Sequence, residues 1–319
     1  MGIENVGKET GDSMTEFKIP STDKKNNLHV YVWEPAEKIE AILQISHGMQ
    51  EYIGRYKEFA EFMISKNVLV IGNDHLGHGL TAKDESDFGF FGSEKSKTVV
   101  DDLYEVTKYA KEKYGNDIPY FLLGHSMGSF MARRYLMTYG NELTGAILSG
   151  TGSQPGAVLA GGRFVAFLTG LFKGERYKPS LLKQLAFGTY LNRIENPKTK
   201  SDWLCKDEAI VEKYNNDKFC TFEFTVDGYK TLFESIAFIQ KKKNIEKIPK
   251  TLPVVFISGT EDPVGNYGKG VEKAYDDFDN AGITDCEMLL YHDGRHEMLN
   301  EIEREGVFED INDWIKDHI

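Results

Sequence analysis

Cysteine is scarce in this chain of 319 residues. Its three cysteines, Cys205, Cys220 and Cys286, form no C-x-x-C pair. An odd number without that spacing argues against a disulfide framework and against a zinc site built from paired cysteines. Because reduced thiols are typical of cytosolic proteins, we expect a protein of the cytoplasm.

Long apolar runs are also missing. Residues 1–17 lack the apolar region of a secretory signal, so the sequence does not predict export. The longest apolar stretch, residues 156–172, is interrupted by Arg163 and is rich in glycine, so we expect it to fall short of a transmembrane helix. A soluble protein is predicted.

Positive charge is in deficit, since the formal net charge is −12 at pH 7. That balance argues against nucleic acid or an anionic membrane surface as the main partner. The sequence contains neither a glycine-rich phosphate loop of the known nucleotide-binding types nor an H-E-x-x-H zinc motif. We therefore expect the protein to need no cofactor and no metal.

Strand and helix patterns alternate from about residue 41 to residue 150. Short apolar runs such as 41–48 and 119–126 are followed by amphipathic stretches, a pattern that is typical of βαβ units with a parallel sheet. The rhythm stops over residues 153–240, which are helical or irregular, and then resumes. We predict one α/β domain whose two parts, residues 1–152 and 241–319, are separated by a helical insertion.

The pentapeptide Gly124–Gly128 fits G-x-S-x-G and lies between a predicted buried strand and a predicted helix. In that context the pattern is typical of a nucleophile elbow, a strained turn that exposes a serine hydroxyl at the carboxyl edge of the sheet. The other interpretation is a tight turn in which the serine merely caps the helix. The strand and helix on either side favour Ser126 as the nucleophile, with Gly124 and Gly128 leaving room for the turn.

A serine nucleophile needs a general base, and the base needs an acid that orients it. In this type of fold the acid and then the histidine follow the serine along the chain. Glu261 and Asp262 follow one predicted strand, and the histidines His292 and His296 follow the next. Asp262 is favoured because it precedes a proline deeper in the loop, and His296 because the loop beside Gly294 suits a side chain that must reach across.

An oxyanion hole requires two backbone N–H donors near the nucleophile. The elbow itself supplies the amide of Met127. His47 and Gly48 form a permissive turn at the end of the strand over residues 41–48, which makes the amide of Met49 the natural second donor. A third histidine loop, residues 73–81, invites a metal interpretation through Asp74, His75 and His78, but its spacing does not match a binuclear hydrolase. We interpret it as a structural loop.

Five motifs in this order resemble one known family. They are HGMQEYIGRY, DHLGHGLT, GHSMGS, SGTEDPVG and GRHEMLNE, and the resemblance extends from about residue 27 to residue 318. The sequence is similar to the α/β-hydrolases that include monoacylglycerol lipases, lysophospholipases and serine aminopeptidases. The resemblance implies an eight-stranded, mostly parallel sheet with a helical cap. It also implies Ser126 as nucleophile, Asp262 as acid, His296 as base, and Met49 and Met127 as oxyanion donors.

The resemblance further implies a serine hydrolase of carboxylic esters, with small monoacylglycerol-like or lysolipid-like substrates. The apolar stretch 156–172 would then line an acyl tunnel, touch micelles or membranes, or only pack on the sheet domain. Two departures from the family pattern are Tyr52, where histidine is frequent, and a highly charged insertion. Two alternatives remain: a binding protein on the same fold, and an aminopeptidase, whose substrate ammonium would need carboxylates from the insertion. The candidates are Glu175, Glu195, Asp202, Asp207, Glu208 and Glu212.

Overall fold

The computed structural model describes residues 4–7, 14–92 and 95–319, with the backbone alone for residues 4–7 and 95. Within these described residues, nine strands form one sheet in the spatial order β1-β2-β3-β5-β4-β6-β7-β8-β9. Their bounds are β1 Glu4–Gly7, β2 Met14–Pro20, β3 Asn27–Trp33, β4 Ala41–Ser46, β5 Val68–Asn73, β6 Tyr120–His125, β7 Gly145–Ser149, β8 Val254–Gly259 and β9 Cys286–Tyr291.

The predicted eight-stranded, mostly parallel sheet is confirmed by β2–β9, and the short β1 extends its antiparallel edge. Pairing is antiparallel from β1 through β3 to β5, and parallel among β5, β4, β6, β7, β8 and β9. The central strands are short apolar runs in which every residue is buried. This is the pattern expected of parallel strands that are covered by helices on both faces.

Five helices cover the two faces of the sheet: α1 Lys57–Ser65, α2 Lys95–Tyr114, α3 Met127–Tyr139, α9 Lys269–Asp279 and α10 Arg304–Asp317. The helices α1 and α10 pack their apolar residues into the core on one face. The helices α2, α3 and α9 pack into the core on the other face. The parallel strands therefore end at one edge of the sheet, where their following loops meet.

The segment between β7 and β8 contains five helices and, in the described chain, no strand. They are α4 Gly156–Lys173, α5 Ser180–Phe187, α6 Glu208–Asn216, α7 Val226–Ile239 and α8 Lys242–Ile245. We call residues 153–240 the inserted segment. Its helix α7 begins where the Thr225 hydroxyl accepts a hydrogen bond from the Gly228 N–H (3.2 Å). That helix packs against α3 and α2 on the sheet domain, whereas α4 packs on α7 further from the sheet.

Candidate active site

The turn at Ser126 is a strained connection between β6 and α3. Ser126 has φ 53° and ψ −121°, a left-handed conformation that is unfavourable for a residue with a side chain. Its two flanking glycines permit close packing: a Cβ on Gly128 would lie 1.9 Å from the Ser46 carbonyl oxygen, and one on Gly124 would lie 2.5 Å from the Gly128 carbonyl oxygen. The G-x-S-x-G pattern therefore follows from steric need as well as from backbone conformation.

Asp262 and His296 are brought together from the loops that follow β8 and β9. The His296 Nδ1 lies 3.0 Å from each carboxylate oxygen of Asp262, and both side chains are almost entirely buried. Asp262 also accepts hydrogen bonds from the Val264 N–H (2.8 Å) and the Ser258 hydroxyl (3.3 Å). Because Nδ1 donates to a carboxylate, Nε2 of His296 is the nitrogen that is free to take a proton.

The two alternatives for the acid and base lie elsewhere. His292 has 89% of its side chain exposed, and its Nδ1 lies 3.2 Å from the carboxylate of the neighbouring Asp293. The carboxylate that contacts His296 belongs to Asp262 rather than to the half-buried Glu261. Of the four candidates, the structure brings together Asp262 and His296.

His47 fixes the orientation of the peptide between Gly48 and Met49. Its Nε2 accepts a hydrogen bond from the His75 N–H (2.9 Å), so the proton lies on Nδ1, which donates to the Gly48 carbonyl (2.8 Å). Burial lowers the pKa of His47 to about 4, even though the nearby Glu51 carboxylate raises it, so the ring is neutral. In a trans peptide the carbonyl and the next N–H point in opposite directions. The Met49 N–H is thus directed away from the His47 ring.

A buried network that the sequence analysis missed joins the loops around Ser126. The Glu51 carboxylate accepts hydrogen bonds from the Gly48 N–H, from His125 Nδ1 (2.7 Å) and from Arg55 (2.9 Å). Arg55 also makes a two-point ion pair with Glu297, the residue after His296. The network therefore connects the loop of Gly48, the turn at Ser126 and the loop that carries His296. The only local signals in the sequence were the tripeptide G-H-S, which contains His125, and the dipeptide H-E, which contains Glu297. Neither pattern indicates which residues these side chains contact.

The same network sets the charge on His125. Burial favours the neutral ring, but the Glu51 carboxylate and the hydrogen bond to it outweigh burial and raise the pKa of His125. For Glu51, burial raises the pKa, but His125 and Arg55 outweigh that effect and lower it. An imidazolium–carboxylate pair is therefore favoured beside Ser126.

The loop of Asp74, His75 and His78 lies against the loop that contains His47 and Gly48. The His47 and His75 rings are 4.1 Å apart, and burial lowers the pKa of His78 to about 3. Asp74 accepts hydrogen bonds from the N–H groups of Ile53 (2.9 Å) and Leu80 (2.7 Å), as a structural loop would require. In the parts of the chain that the structure describes, a different group of potential metal ligands has its donor atoms within 4.8 Å of one another: Asp285, Glu287 and His318.

A cavity of about 890 Å³ opens above the elbow. Ser126, His296, Met49 and Met127 lie on its floor, and its walls come largely from the inserted segment. The wall residues are predominantly apolar, including Val158, Leu159, Val165, Leu185, Leu232 and Phe233. Such a site suits a ligand with a substantial apolar part and a small number of polar atoms at one end.

Two of the contacts between the inserted segment and this site involve aromatic side chains whose partners the sequence did not reveal. The Trp203 ring packs on the His296 ring, with centroids 4.9 Å apart. The hydroxyl of Tyr52 donates a hydrogen bond to Asp217 (2.9 Å). The first contact joins the inserted segment to the histidine loop, and the second joins it to the loop that contains Glu51.

One helix in the described chain, α4, is apolar and long enough to cross a membrane by length and composition alone. From its sequence this stretch was expected to fall short of a transmembrane helix, but Arg163 and the glycines do not interrupt the 18-residue helix, whose mean hydropathy is 1.3. Only 11% of it is buried. Phe164, Phe167 and Leu171, at helical spacing, are 62%, 57% and 67% exposed, so α4 is a surface helix with an exposed apolar face.

The sheet order, the flanking helices and the strained turn at Ser126 are those of an α/β-hydrolase. Residues 37–303 match the family described as serine aminopeptidase, S33. The chain belongs to this family. Human monoglyceride lipase is 27% identical over 327 aligned residues, covering 99% of this chain and 96% of that protein.

Solved structures agree with this assignment. A thermostable carboxyl esterase from Bacillus coagulans, in complex with glycerol, has a TM-score of 0.89 at 32% identity, covering 96% of this chain and 98% of that one. A soluble variant of monoglyceride lipase from Saccharomyces cerevisiae, in complex with a substrate analog, has a TM-score of 0.74 at 20% identity, covering 100% and 96%. At that identity the second likeness shows the fold alone. The chain is a monoglyceride lipase/esterase-like α/β-hydrolase.

Proposed function

We propose that this protein is a serine hydrolase that cleaves carboxylic esters of the monoacylglycerol or lysolipid type. The observation that carries the proposal is the buried contact of His296 Nδ1 with the Asp262 carboxylate (3.0 Å), at the floor of the cavity that Ser126 also lines. A histidine held in that tautomer by a carboxylate is equipped to activate a serine hydroxyl. The imidazolium that then forms is stabilised by the same carboxylate.

In the proposed reaction Ser126 Oγ attacks the ester carbonyl while its proton passes to His296 Nε2. The amides of Met49 and Met127 donate hydrogen bonds to the oxyanion of the tetrahedral intermediate. His296 gives its proton to the departing alcohol oxygen, which leaves an acyl-enzyme. Water, deprotonated by His296, then attacks the acyl carbon, releases the fatty acid and restores the serine.

The polar lining of the cavity favours a neutral ester over a substrate with a free amine. Glu51 and Glu297 are its lining carboxylates, and both are already paired, with His125 and Arg55. None of the six acidic residues considered for binding an ammonium lines the cavity in the described chain. Instead, Glu175 contacts Lys230, and Asp207 caps α6. An ammonium would therefore be desolvated without a partner, which is costly.

Two further features of the proposal concern the inserted segment. We propose that it is a helical cap over the cavity, with boundaries at residues 153 and 240, and that its apolar wall accepts the acyl chain. The exposed face of α4 then contacts micelles or neutral membranes transiently, while the protein as a whole is cytoplasmic. Apolar patches of this kind mark contact surfaces more often than inert surface.

The deciding experiment compares medium-chain monoacylglycerols with amino-acyl arylamides on one preparation. We expect the esters to be hydrolysed and kcat/KM to rise severalfold as the acyl chain lengthens, because each buried methylene contributes about 0.8 kcal/mol. Preference for the free-amine substrates would overturn the ester assignment, and no turnover of either would favour a binding protein.

The catalytic residues are tested separately. A fluorophosphonate should label Ser126, and Ser126→Ala and His296→Ala should both abolish turnover, since residues of a triad act as a unit. His292→Ala is the matched control, because it removes an exposed histidine four residues away in the same loop. Labelling of another serine, or inactivity of the His292 variant alone, would show that the roles are wrongly assigned.

A further inference from the structure

The loop that carries His296 is bound on both sides to residues 202–205 of the inserted segment. After His296, the Glu297 N–H donates to the Leu204 carbonyl (2.7 Å). Before it, the Arg295 guanidinium donates to the carbonyls of Asp202 (2.6 Å) and Cys205 (3.1 Å). The loop and this part of the inserted segment are therefore held in register by hydrogen bonds to backbone carbonyls, not by side-chain packing alone.

Between these hydrogen bonds, Trp203 packs directly on the His296 ring. The ring centroids are 4.9 Å apart and the ring planes meet at 38°. Trp203 is itself held by Tyr190 of the inserted segment, at 4.8 Å in an edge-to-face arrangement. A chain of aromatic contacts thus runs from the wall of the cavity to the imidazole.

Charged and titratable groups contact His296 from the other elements of the site. Asp262 binds its Nδ1, and the His125 ring lies 4.9 Å away on the elbow. The Asp262 contact fixes one end of the ring but leaves it free to tilt about that hydrogen bond. A flat indole against the ring removes that freedom.

We propose that Trp203 is a positioning residue for His296, so that the catalytic base is held in its reactive orientation only when residues 202–205 are seated against the histidine loop. This inference rests on the proposed role of His296 as the base. It means that the inserted segment completes the catalytic machinery in addition to forming a wall of the cavity. Displacement of residues 202–205 then lowers turnover even when substrate is bound.

The competing interpretation is that Trp203 is only part of the cavity wall, since it also lines the cavity. The two roles affect kinetics differently. A wall residue changes KM and the preference for acyl-chain length, because it contacts the acyl chain in the ground state and the transition state alike. A positioning residue lowers kcat by a similar factor for every ester, including one with an acetyl group that is too short to reach the wall.

The test uses Trp203→Leu, Trp203→Phe and the control Phe233→Leu, an aromatic-to-leucine change in the same cavity wall on helix α7. We expect Trp203→Leu to lower kcat about tenfold for acetyl and medium-chain esters alike, equivalent to about 1.4 kcal/mol of transition-state stabilisation. The Phe variant should recover most of the loss, because it retains an aromatic face. Phe233→Leu should raise KM for medium chains, and it should not reproduce the equal fall in kcat for both esters.

A spectroscopic measurement is independent of turnover. The downfield proton NMR signal of the hydrogen on His296 Nδ1 reports its hydrogen bond to Asp262, and it should shift or broaden in Trp203→Leu but not in Phe233→Leu. An unchanged signal together with unchanged kcat for the acetyl ester would overturn the positioning role. Activity in His296→Ala would instead overturn the proposed function itself, so the two failures are distinguishable.

Discussion

The side-chain amide of Gln240 makes two hydrogen bonds to the backbone of Gln154. The Gln154 N–H donates to Oε1 at 2.7 Å, and Nε2 donates to the Gln154 carbonyl at 2.9 Å. One side chain therefore joins the point where the chain leaves the sheet domain to the point where it returns. We expect this pair to hold the two ends of the inserted segment together and to act as its hinge.

Replacement of Gln240 by glutamate tests the hinge. The carboxylate of a glutamate can accept a hydrogen bond from the Gln154 N–H, but it cannot donate one to the Gln154 carbonyl. A carboxylate oxygen and the carbonyl oxygen then face each other and repel. We expect the free energy of unfolding to fall by about 1–2 kcal/mol, and proteolytic cleavage to become faster within residues 153–240. Gln184→Glu, an exposed glutamine within the same segment, is the matched control. Identical cleavage patterns for both variants would argue against a hinge at this pair.

The strained backbone at Ser126 leads to a second prediction. At φ 53° and ψ −121° a glycine is tolerated more easily than any residue with a Cβ. We therefore expect Ser126→Gly to exceed Ser126→Ala in free energy of unfolding by about 1 kcal/mol. The comparison is made by urea denaturation of both inactive variants.

The control for this comparison is Thr138, an exposed position in the last turn of α3. In a helix the order reverses, and Thr138→Ala should be more stable than Thr138→Gly by up to about 1 kcal/mol. If the alanine variant also had the higher free energy of unfolding at position 126, the backbone conformation of the elbow would not be strained by a Cβ atom.

Patterns that depend on neighbouring residues were readable in the sequence. The buried strands and the turn at Ser126 each occupy a few consecutive positions, so the alternation of strands and helices predicts the sheet. The first two strands, β1 and β2, were not identified from the sequence pattern, because the alternation in β2 is weak; they pair antiparallel at one side of the sheet. The length of the apolar helix α4 was underestimated, because Arg163 was expected to interrupt it. In a helix whose surface is mostly exposed, an arginine can be accommodated without a break.

Contacts between distant segments could not be predicted in this way. Glu51 and His125 are 74 positions apart, and neither residue carries a local sign of the other. In the sequence, Trp203 is a single aromatic residue within a charged segment. Its contact with His296 depends on how the inserted segment folds back on the sheet domain. Candidate residues for the site could therefore be named from the sequence, but the network of contacts around them could not.

The raised pKa of His125 predicts a specific dependence of stability on pH. Burial opposes the charge, but the Glu51 carboxylate outweighs it, so the folded state binds this proton more tightly than the unfolded state does. The resulting stabilisation is fully present below about pH 6.5 and is lost as the pH rises through the raised pKa of the folded state. Arg55 opposes this charge, and Glu297 supports it.

The measurement is the free energy of unfolding between pH 6 and pH 9 for the native protein and for His125→Gln. We expect the difference between the two to be largest near pH 6 and to shrink as the pH rises. His292→Gln, which removes an exposed histidine, should keep the pH profile of the native protein. A constant difference between native protein and His125→Gln would mean that His125 is not charged in the folded state.

The exposed face of α4 leads to the last prediction, which concerns the physical form of the substrate. Phe164 and Phe167 do not line the cavity, and more than half of each is exposed. If this face contacts lipid, burial of each ring at an interface contributes on the order of 1 kcal/mol or more. The double variant Phe164→Ser with Phe167→Ser should bind neutral vesicles at least fivefold more weakly in a sedimentation assay and hydrolyse vesicle-borne monoacylglycerol correspondingly more slowly. Hydrolysis of a water-soluble acetyl ester should be unchanged, because neither ring reaches the site.

Ile302→Ser, which removes an apolar side chain with 60% exposure outside the inserted segment, is the control and should leave both activities intact. Because the net charge is −12, binding to anionic vesicles should be weaker than to neutral ones and should improve with added salt. Equal vesicle binding by the native protein and the double variant would exclude this face as the lipid contact and leave α4 as a wall of the cavity alone.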